Sequence, residues 1–319
     1  MASVPDTAHA RPVYGVDFSA AAGDAGTKTW IARGIAANGT LTLTGVEPLA
    51  TGAALDDADR ATALPALAAW LRGIDDRAVA GLDFPFGLPR FIVEAAGHDS
   101  WRSFLSGFPD TLGGGGSGHD DAAADPVRVF AERCVDLTDQ HGEGTYDNRQ
   151  TDAAVGARSP YGFIADTITF YGMRDVLAPI IDDVRIAPMD VVDHLKGNGL
   201  RWRPDAPAGP TIVETYPAAV FEALGLHRTR YKGTSDVEAT RRRQNAEGIV
   251  ATGDVTYNTN ADLVDRIVAN HHGDALDAVA ACLGAFVASE TEYAVTTDEF
   301  DDPAAIALEG YIYALRDRR

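Results

Sequence analysis

Five carboxylates stand where apolar segments stop or start. Asp17 closes Val13-Tyr14-Gly15-Val16, Asp83 closes Ala78-Val79-Ala80-Gly81-Leu82, and Glu214 lies near the end of Thr211-Ile212-Val213-Glu214-Thr215. Asp274 and Asp277 open an alanine-rich run. Their spacing of three puts both on one face of a helix's first turn. Each acid has an ordinary explanation by itself. Asp17 suits the start of a turn, Asp274 a helix cap, and Asp277 a solvated helix face. Carboxylates brought together in a protein interior need a positive partner, because their mutual repulsion and desolvation are otherwise too costly. Hard oxygen donors suit Mg²⁺ or Mn²⁺. Two such ions about 4 Å apart activate a water and stabilise the leaving oxygen of a phosphodiester. Expected metal ligands are therefore Asp17, Asp83, Glu214, Asp274 and Asp277.

Several other residues are candidates for holding a substrate. Lys232 follows the basic turn Arg228-Thr229-Arg230-Tyr231 and would suit a scissile phosphate. Arg241, in the run Arg241-Arg242-Arg243, would suit phosphate contacts. Ser19 stands two residues after Asp17, and Arg149, Asp152 and Ser159-Pro160 are polar residues of the middle stretch that could reach a cleft. His271-His272 precede the late acids, where His272 is better placed to position water or touch a metal. Trp101, Trp202 and Phe108 read as core residues rather than base-stacking platforms.

The elements that would position these groups follow from periodicity. Residues 12 to 18, 28 to 35 and 41 to 46 read as three antiparallel strands, with Asn38-Gly39 as the hairpin turn between the second and third. Residues 56 to 71 carry apolar side chains at helical spacing (Leu64, Leu67, Trp70, Leu71), and residues 78 to 82 form a fourth strand, apolar on both faces. The stretch from about 90 to 205 is rich in Gly, Asp and aromatics. Its helical candidates are Arg90 to Ala96, Trp101 to Leu105, Pro126 to Leu137, Tyr161 to Ile181 and Val191 to His194. It reads as a helical insertion across the carboxylate edge of the sheet. Its run Gly113 to Gly118 lacks the Gly-Lys-Ser/Thr ending of a phosphate-cradling loop. A strand at 211 to 215 follows, then helices at 218 to 224, 236 to 250, 260 to 269 and 273 to 289. The tail from Ile306 to Leu315 is apolar and should dock on the core.

These motifs carry a resemblance. The β-β-β-α-β opening with acids closing strands one and four, then a late Asp-Ala-Leu-Asp-Ala helix, resembles the ribonuclease H-like fold, with the late Asp-x-x-Asp closest to the Holliday-junction resolvases. Gly-Val-Asp-Phe-Ser, Asp-Phe-Pro-Phe-Gly, Glu-Thr-Tyr-Pro-Ala, Tyr231-Lys232, Gly-Asp-Ala-Leu-Asp-Ala and Glu-Gly-Tyr-Ile-Tyr at 309 to 313 together resemble a narrower group. It is the family of predicted ribonuclease H-like nucleases catalogued as domain of unknown function 429. The likeness covers about 13 to 315. It implies an α/β mixed sheet in the order β-β-β-α-β-α-β-α with a helical insertion, and hydrolysis of phosphodiester bonds in nucleic acid or a nucleotide. It assigns the ion-bridging role to Asp17, with Asp83, Asp274 and Asp277 as further ligands. Glu214 has no fixed place in the smaller nucleases. Two other classes share parts of the pattern. Actin-like and sugar-kinase phosphotransferases also begin with a strand-end Asp and a hairpin, but need a second phosphate loop that Glu214-Thr215 does not supply. The other is a non-catalytic nucleic-acid-binding module with the same fold.

Charge bounds the setting. Lys+Arg number 27 against 47 Asp+Glu, a net charge of −20 over 319 residues, and lysine occurs only at 28, 196 and 232. The acids are dispersed, as at Asp56-Asp57, Asp120-Asp121, Asp182-Asp183 and Asp298 to Asp302. Such a surface keeps a protein soluble where salt screens repulsion, which is the expectation for a halophile. It argues against non-specific nucleic-acid binding over the whole surface. Two cysteines, Cys134 and Cys282, are too few for a disulfide framework. No apolar run approaches the ~20 residues of a membrane span. Residues 1 to 11 lack a signal pattern and read as a disordered lead to one domain from 12 to 319, in the cytoplasm.

Overall fold

The computed structural model describes residues 10–112, 125–192, 200–257, 262–296, 298 and 300–315. The glycine run at 113 to 118, Asp120-Asp121, His194 and Lys196 lie outside the described residues, as do residues 1 to 9 of the lead. Eight strands form one mixed sheet: β1 (Arg11–Asp17), β2 (Trp30–Ala37), β3 (Thr40–Pro48), β4 (Val79–Leu82), β5 (Arg185–Ala187), β6 (Thr211–Thr215), β7 (Val255–Tyr257) and β8 (Ile312–Tyr313). The order is β5-β6-β4-β1-β2-β3-β7, and β8 pairs with β6. β2 runs antiparallel to β1 and β3, and the remaining pairings are parallel. The expected hairpin strands and the fourth strand are present within two or three residues at their ends.

Helices cover both faces, so the sheet is the middle of three layers. On one side, helix Arg60–Gly73 and the helices of the middle stretch share a core with Val16, Ile31, Leu82, Phe84 and Phe86. The aromatic residues Trp101, Phe104, Phe108, Phe130 and Phe170 knit that core together, and Trp101 and Phe108 are buried within it as expected. On the other side lies helix Asp274–Glu290, buried at every residue from Ala275 to Ser289. A helix of small residues on all sides can sink into a core in this way, since no polar face needs water.

Two glycines set how deep that helix lies. Gly15 on β1 and Gly81 on β4 are register partners. A Cβ at Gly15 would collide with Ala278 O and Cys282 N, and one at Gly81 would come 2.5 Å from Ala281 O. The obstructing atoms are backbone, which cannot rotate away. The helix therefore rests directly on two strands, and its first turn is fixed over their ends.

The middle stretch departs from expectation in three places. The 161 to 181 segment is helical, but as an α-helix at Ala165–Tyr171, a π-helix at Gly172–Leu177 and a 3₁₀ turn at Ala178–Ile180. Gly172 lies against the Phe84 ring with no room for a Cβ, so this segment packs directly on Phe84. The helix expected at Val191 to His194 is not formed over its described part. Val192 N donates to Arg201 O and Arg203 N to Asp190 O, so the backbone pairs across a loop, with Val191 bridged to Trp202. The expected insertion also does not run unbroken to 205, because β5 joins the main sheet beside β6.

The glycine contacts give a direct test. Gly15→Ala should destabilise the fold by about 3 kcal/mol or more, as overpacking against backbone does. Gly45→Ala on β3, where nothing lies within 4 Å, should change stability by less than ~0.5 kcal/mol. Urea unfolding midpoints of the two variants check this, and similar losses would refute the close-packing account.

Candidate functional site

Strand alternation decides which acids meet. Side chains two apart on a strand share a face. Gly15 and Gly81 face helix Asp274–Glu290, so Asp17 and Asp83 face it as well, one step beyond. Val16 pairs with Leu82, and Asp83 N donates to Val16 O at 3.0 Å, which holds the two strand ends side by side. The helix's first turn supplies Asp274 and Asp277 to the same place. Asp17 and Asp277 are buried, and Asp83 and Asp274 are partly buried.

The electrostatics of this group are those of crowded acids. Burial pushes the Asp17 carboxyl well above the usual range, and Asp277 and Asp83 push it further. Burial and then Asp277 push Asp83 up to about 8. Asp274 is raised by burial and by Asp277, against the opposing pull of Lys232 and His272. The Lys232 ammonium is 2.7 Å from Asp277 Oδ2. Burial by itself would lower its pKa, but Asp277 and Asp17 outweigh this and hold it charged.

Tyr231 is a further partner in this group. Its hydroxyl donates to Asp277 Oδ1 at 2.7 Å, so Tyr231 and Lys232 together take both oxygens of Asp277. Gly273, at φ 87°, makes this approach possible, because a Cβ there would meet Lys232 Cγ at 3.0 Å and the Tyr231 ring at 3.1 Å. Arg242 holds the loop from behind. It is buried and donates to Tyr231 O at 2.6 Å, Gly233 O at 2.8 Å and Val268 O at 2.9 Å. A Tyr-Lys pair after a basic turn was the available signal, but the contact depends on a loop meeting a helix about forty residues on.

Other expected site residues are placed elsewhere. Glu214 is in register with Leu82, not Asp83, so its side chain points to the opposite face of the sheet. There Arg149 Nη2 donates to Glu214 Oε1 at 2.5 Å, while Arg149 Nη1 and Phe86 N donate to Oε2 at 2.8 and 3.0 Å. Arg149 also donates to Asp152 and to Glu309 O. The expectation of Glu214 as a metal ligand, and of Arg149 as a substrate contact, is corrected on these grounds. Both groups are buried, all five guanidinium N–H groups of Arg149 are used, and Glu214 accepts three hydrogen bonds. Asp152 belongs to the same closed network. Ser19 uses its hydroxyl to accept from Ala21 N at 3.3 Å, a local turn contact. Arg241 donates to Arg230 O at 3.2 Å, and Arg243 pairs with Asp265 at 2.9 Å. His271 and His272 are exposed, with ring centroids 4.3 Å apart and planes tilted by 42°.

Asp17, Asp83 and Asp274 offer hard oxygen donors with one ammonium among four acids, which is the donor chemistry of a divalent cation site. Among the described residues, no three His, Cys, Asp or Glu side chains stand preassembled to hold a metal ion. With Asp277 held by Tyr231 and Lys232, the arrangement is an acid cluster balanced in part by an ammonium.

Residues 184–301 match a family model described as "Protein of unknown function (DUF429)". The matched span carries β6, the Tyr231-Lys232 loop, Arg242 and helix Asp274–Glu290 through its end, while Asp17 and Asp83 lie outside it. This supports the family likeness over about two fifths of the length read from the motifs. No curated protein and no solved structure matches the chain. Among the described residues, no helix is long and apolar enough to cross a membrane.

The raised carboxyls fix the sign of a pH effect in metal-free protein. A folded-state pKa above the unfolded value near 4 means that the native state keeps protons the unfolded chain releases. Stability is then greatest below about pH 4 to 5 for this contribution and is lost as pH rises toward 8. Thermal unfolding in EDTA should give a falling midpoint from pH 5.5 to 8.5. Asp83→Asn should flatten the slope and be more stable than the wild type at pH 8.5, by on the order of 2 kcal/mol after solvent screening. An equal slope in the variant would contradict this assignment.

Proposed function

We propose that the chain is a divalent-metal-dependent phosphodiesterase acting on nucleic acid, on a ribonuclease H-like fold. The observation that carries this reading is the convergence of Asp17 and Asp83, from adjacent parallel strand ends, with the first-turn acids of helix Asp274–Glu290. The order β3-β2-β1-β4-β6, with β2 the antiparallel member, supports the fold assignment.

In this reading Asp17, Asp83 and Asp274 would hold Mg²⁺ or Mn²⁺, which would supply activation of a water nucleophile and stabilisation of charge on the leaving oxygen. Asp277 acts through its partners, fixing the Tyr231 hydroxyl and the Lys232 ammonium. The Lys232 side chain is about half exposed, at 53%, so its ammonium can serve a scissile phosphate without first being uncovered. The net charge of −20 would repel a polyanion at low salt, and the dispersed acids suit a protein that works where salt screens them. A halophilic origin accords with that surface.

The test is cleavage of labelled single-stranded, duplex, hybrid and branched oligonucleotides in molar KCl with Mn²⁺ or Mg²⁺. Asp17→Asn should lower the rate by about 100-fold or more, while folding at least as stably as the wild type because a buried charge is removed. Absence of cleavage on every substrate, or equal cleavage by the variant, would overturn the proposal.

A further inference from the structure

A cluster of exposed aromatic and apolar side chains lies on the middle stretch. Six large hydrophobic residues are exposed among the described residues, and three of them fall in one spot: Tyr146 at 45%, Phe163 at 67% and Ile164 at 80%. Scattered exposed apolar residues are ordinary, but a clustered set marks a binding surface.

The cluster has a built foundation. Tyr161 is fully buried, and its hydroxyl hydrogen-bonds Thr138 at 2.8 Å and accepts from Asp147 N at 2.7 Å. The Tyr146 ring is 5.9 Å from Tyr161 and 5.6 Å from Phe163. Gly162 leaves room for it, since a Cβ there would be 2.9 Å from Tyr146 Cδ1. Phe163 itself has φ 57°, a left-handed backbone that an aromatic residue seldom adopts. A bulky ring is thus held outward in a strained conformation where glycine would be easier. Strain of this kind is found where the side chain has a use.

The charges nearby are of both signs: Arg158 stands at the Phe163 ring, while Asp147 lies beside Tyr146 and Asp166 two residues beyond Ile164. The Arg158 guanidinium lies 5.4 Å over the Phe163 ring and makes no ion pair among the described residues. Two residues before it, Gly156 O accepts from Arg228 Nη2 at 2.7 Å, and Val155 O accepts from the same nitrogen at 3.2 Å. Arg228 begins the loop that carries exposed Arg230 and ends at Lys232 on the carboxylates. Arg228 is paired with Glu222, which leaves Arg158, exposed Arg230 and half-exposed Lys232 as the cations that complement a phosphate backbone with unpaired bases at the aromatic cluster. Every base has a face that stacks on an aromatic ring or a guanidinium, and bases in a duplex do not expose theirs.

We propose that Tyr146, Phe163 and Arg158 form a stacking shelf for unpaired bases of a single-stranded nucleic acid, whose backbone follows Arg230 toward Lys232. This names the substrate class of the proposed phosphodiesterase and rests on that reading. The test is binding of a fluorescein-labelled oligothymidylate of about twelve nucleotides, and of a duplex of the same length, read by anisotropy in EDTA so that no cleavage is required. F163A should weaken oligothymidylate binding by about 5- to 100-fold and leave duplex binding within about twofold. F163W should restore the affinity and show a tryptophan emission decrease on binding that the wild type lacks. Unchanged oligothymidylate affinity in F163A, equal losses for single strand and duplex, or no binding by the wild type would each overturn the shelf. So would a change in sedimentation on F163A with binding unaltered, which would mark a protein-contact surface instead. Cleavage is then assayed separately with Mn²⁺. An oligothymidylate bound through Phe163 but never cut, alone or in branched form, would sink the phosphodiesterase reading and leave the shelf standing.

Discussion

The backbone of helix Asp274–Glu290 lies directly on β1 and β4, at Gly15 and Gly81, and the site depends on this contact. With side chains at those positions the helix would ride higher, and its first turn would no longer reach the strand ends. The same alternation that turns the two glycines toward the helix turns Asp17 and Asp83 toward it two residues later. Packing and chemistry are therefore set by one register: the glycines admit the helix, and the acids meet its N-terminus. The alanine-rich composition of the helix is the counterpart, since Ala278, Ala281 and Ala285 keep its surface low enough for the contact.

The end of this sheet carries an acid group on each face, and the two are balanced differently. On the face of the middle-stretch helices, Glu214 and Asp152 close on the Arg149 guanidinium, with Phe86 N adding a further donor. That network is buried and uses every guanidinium N–H of Arg149, so it holds the loops together. On the helix face, Lys232 stands against four carboxylates and remains half exposed. Burial and mutual repulsion raise Asp17, Asp83 and Asp274 there, so those groups are held in a state that a divalent cation would relieve. A saturated ion pair reads as architecture and an unbalanced cluster as chemistry, and the two sit a strand's thickness apart.

Much of this was legible in the residues. Asp17 and Asp83 follow apolar runs whose length and bounding turns mark strands, and Asp274-x-x-Asp277 marks a shared helix face. Glu214 was misplaced because the end of β6 was judged by nearness to an acid and not by parity. Its register partner is Leu82, so Thr215 and not Glu214 shares a face with Asp83. The three-residue strands β5 and β7 carry too few residues for a period to show, and tertiary pairing alone makes them strands. The Tyr231-Lys232 pair and the run Arg241 to Arg243 stand in the sequence, but no local pattern gives their contacts, which join a loop to helices. The exposed ring of Phe163 is of the same kind, since nothing in Ser159-Pro160-Tyr161-Gly162-Phe163 says which aromatic faces out.

The central claim is that Asp17 and Asp83 form a divalent-cation centre with the first turn of the late helix. Titration calorimetry with Mn²⁺ in molar KCl at pH 7.5 tests it without a substrate. The account predicts saturable binding by the wild type, accompanied by proton release from the raised carboxyls, and loss of that binding in Asp17→Asn and Asp83→Asn. Binding of equal affinity and proton release in both variants, or none in the wild type, would contradict it.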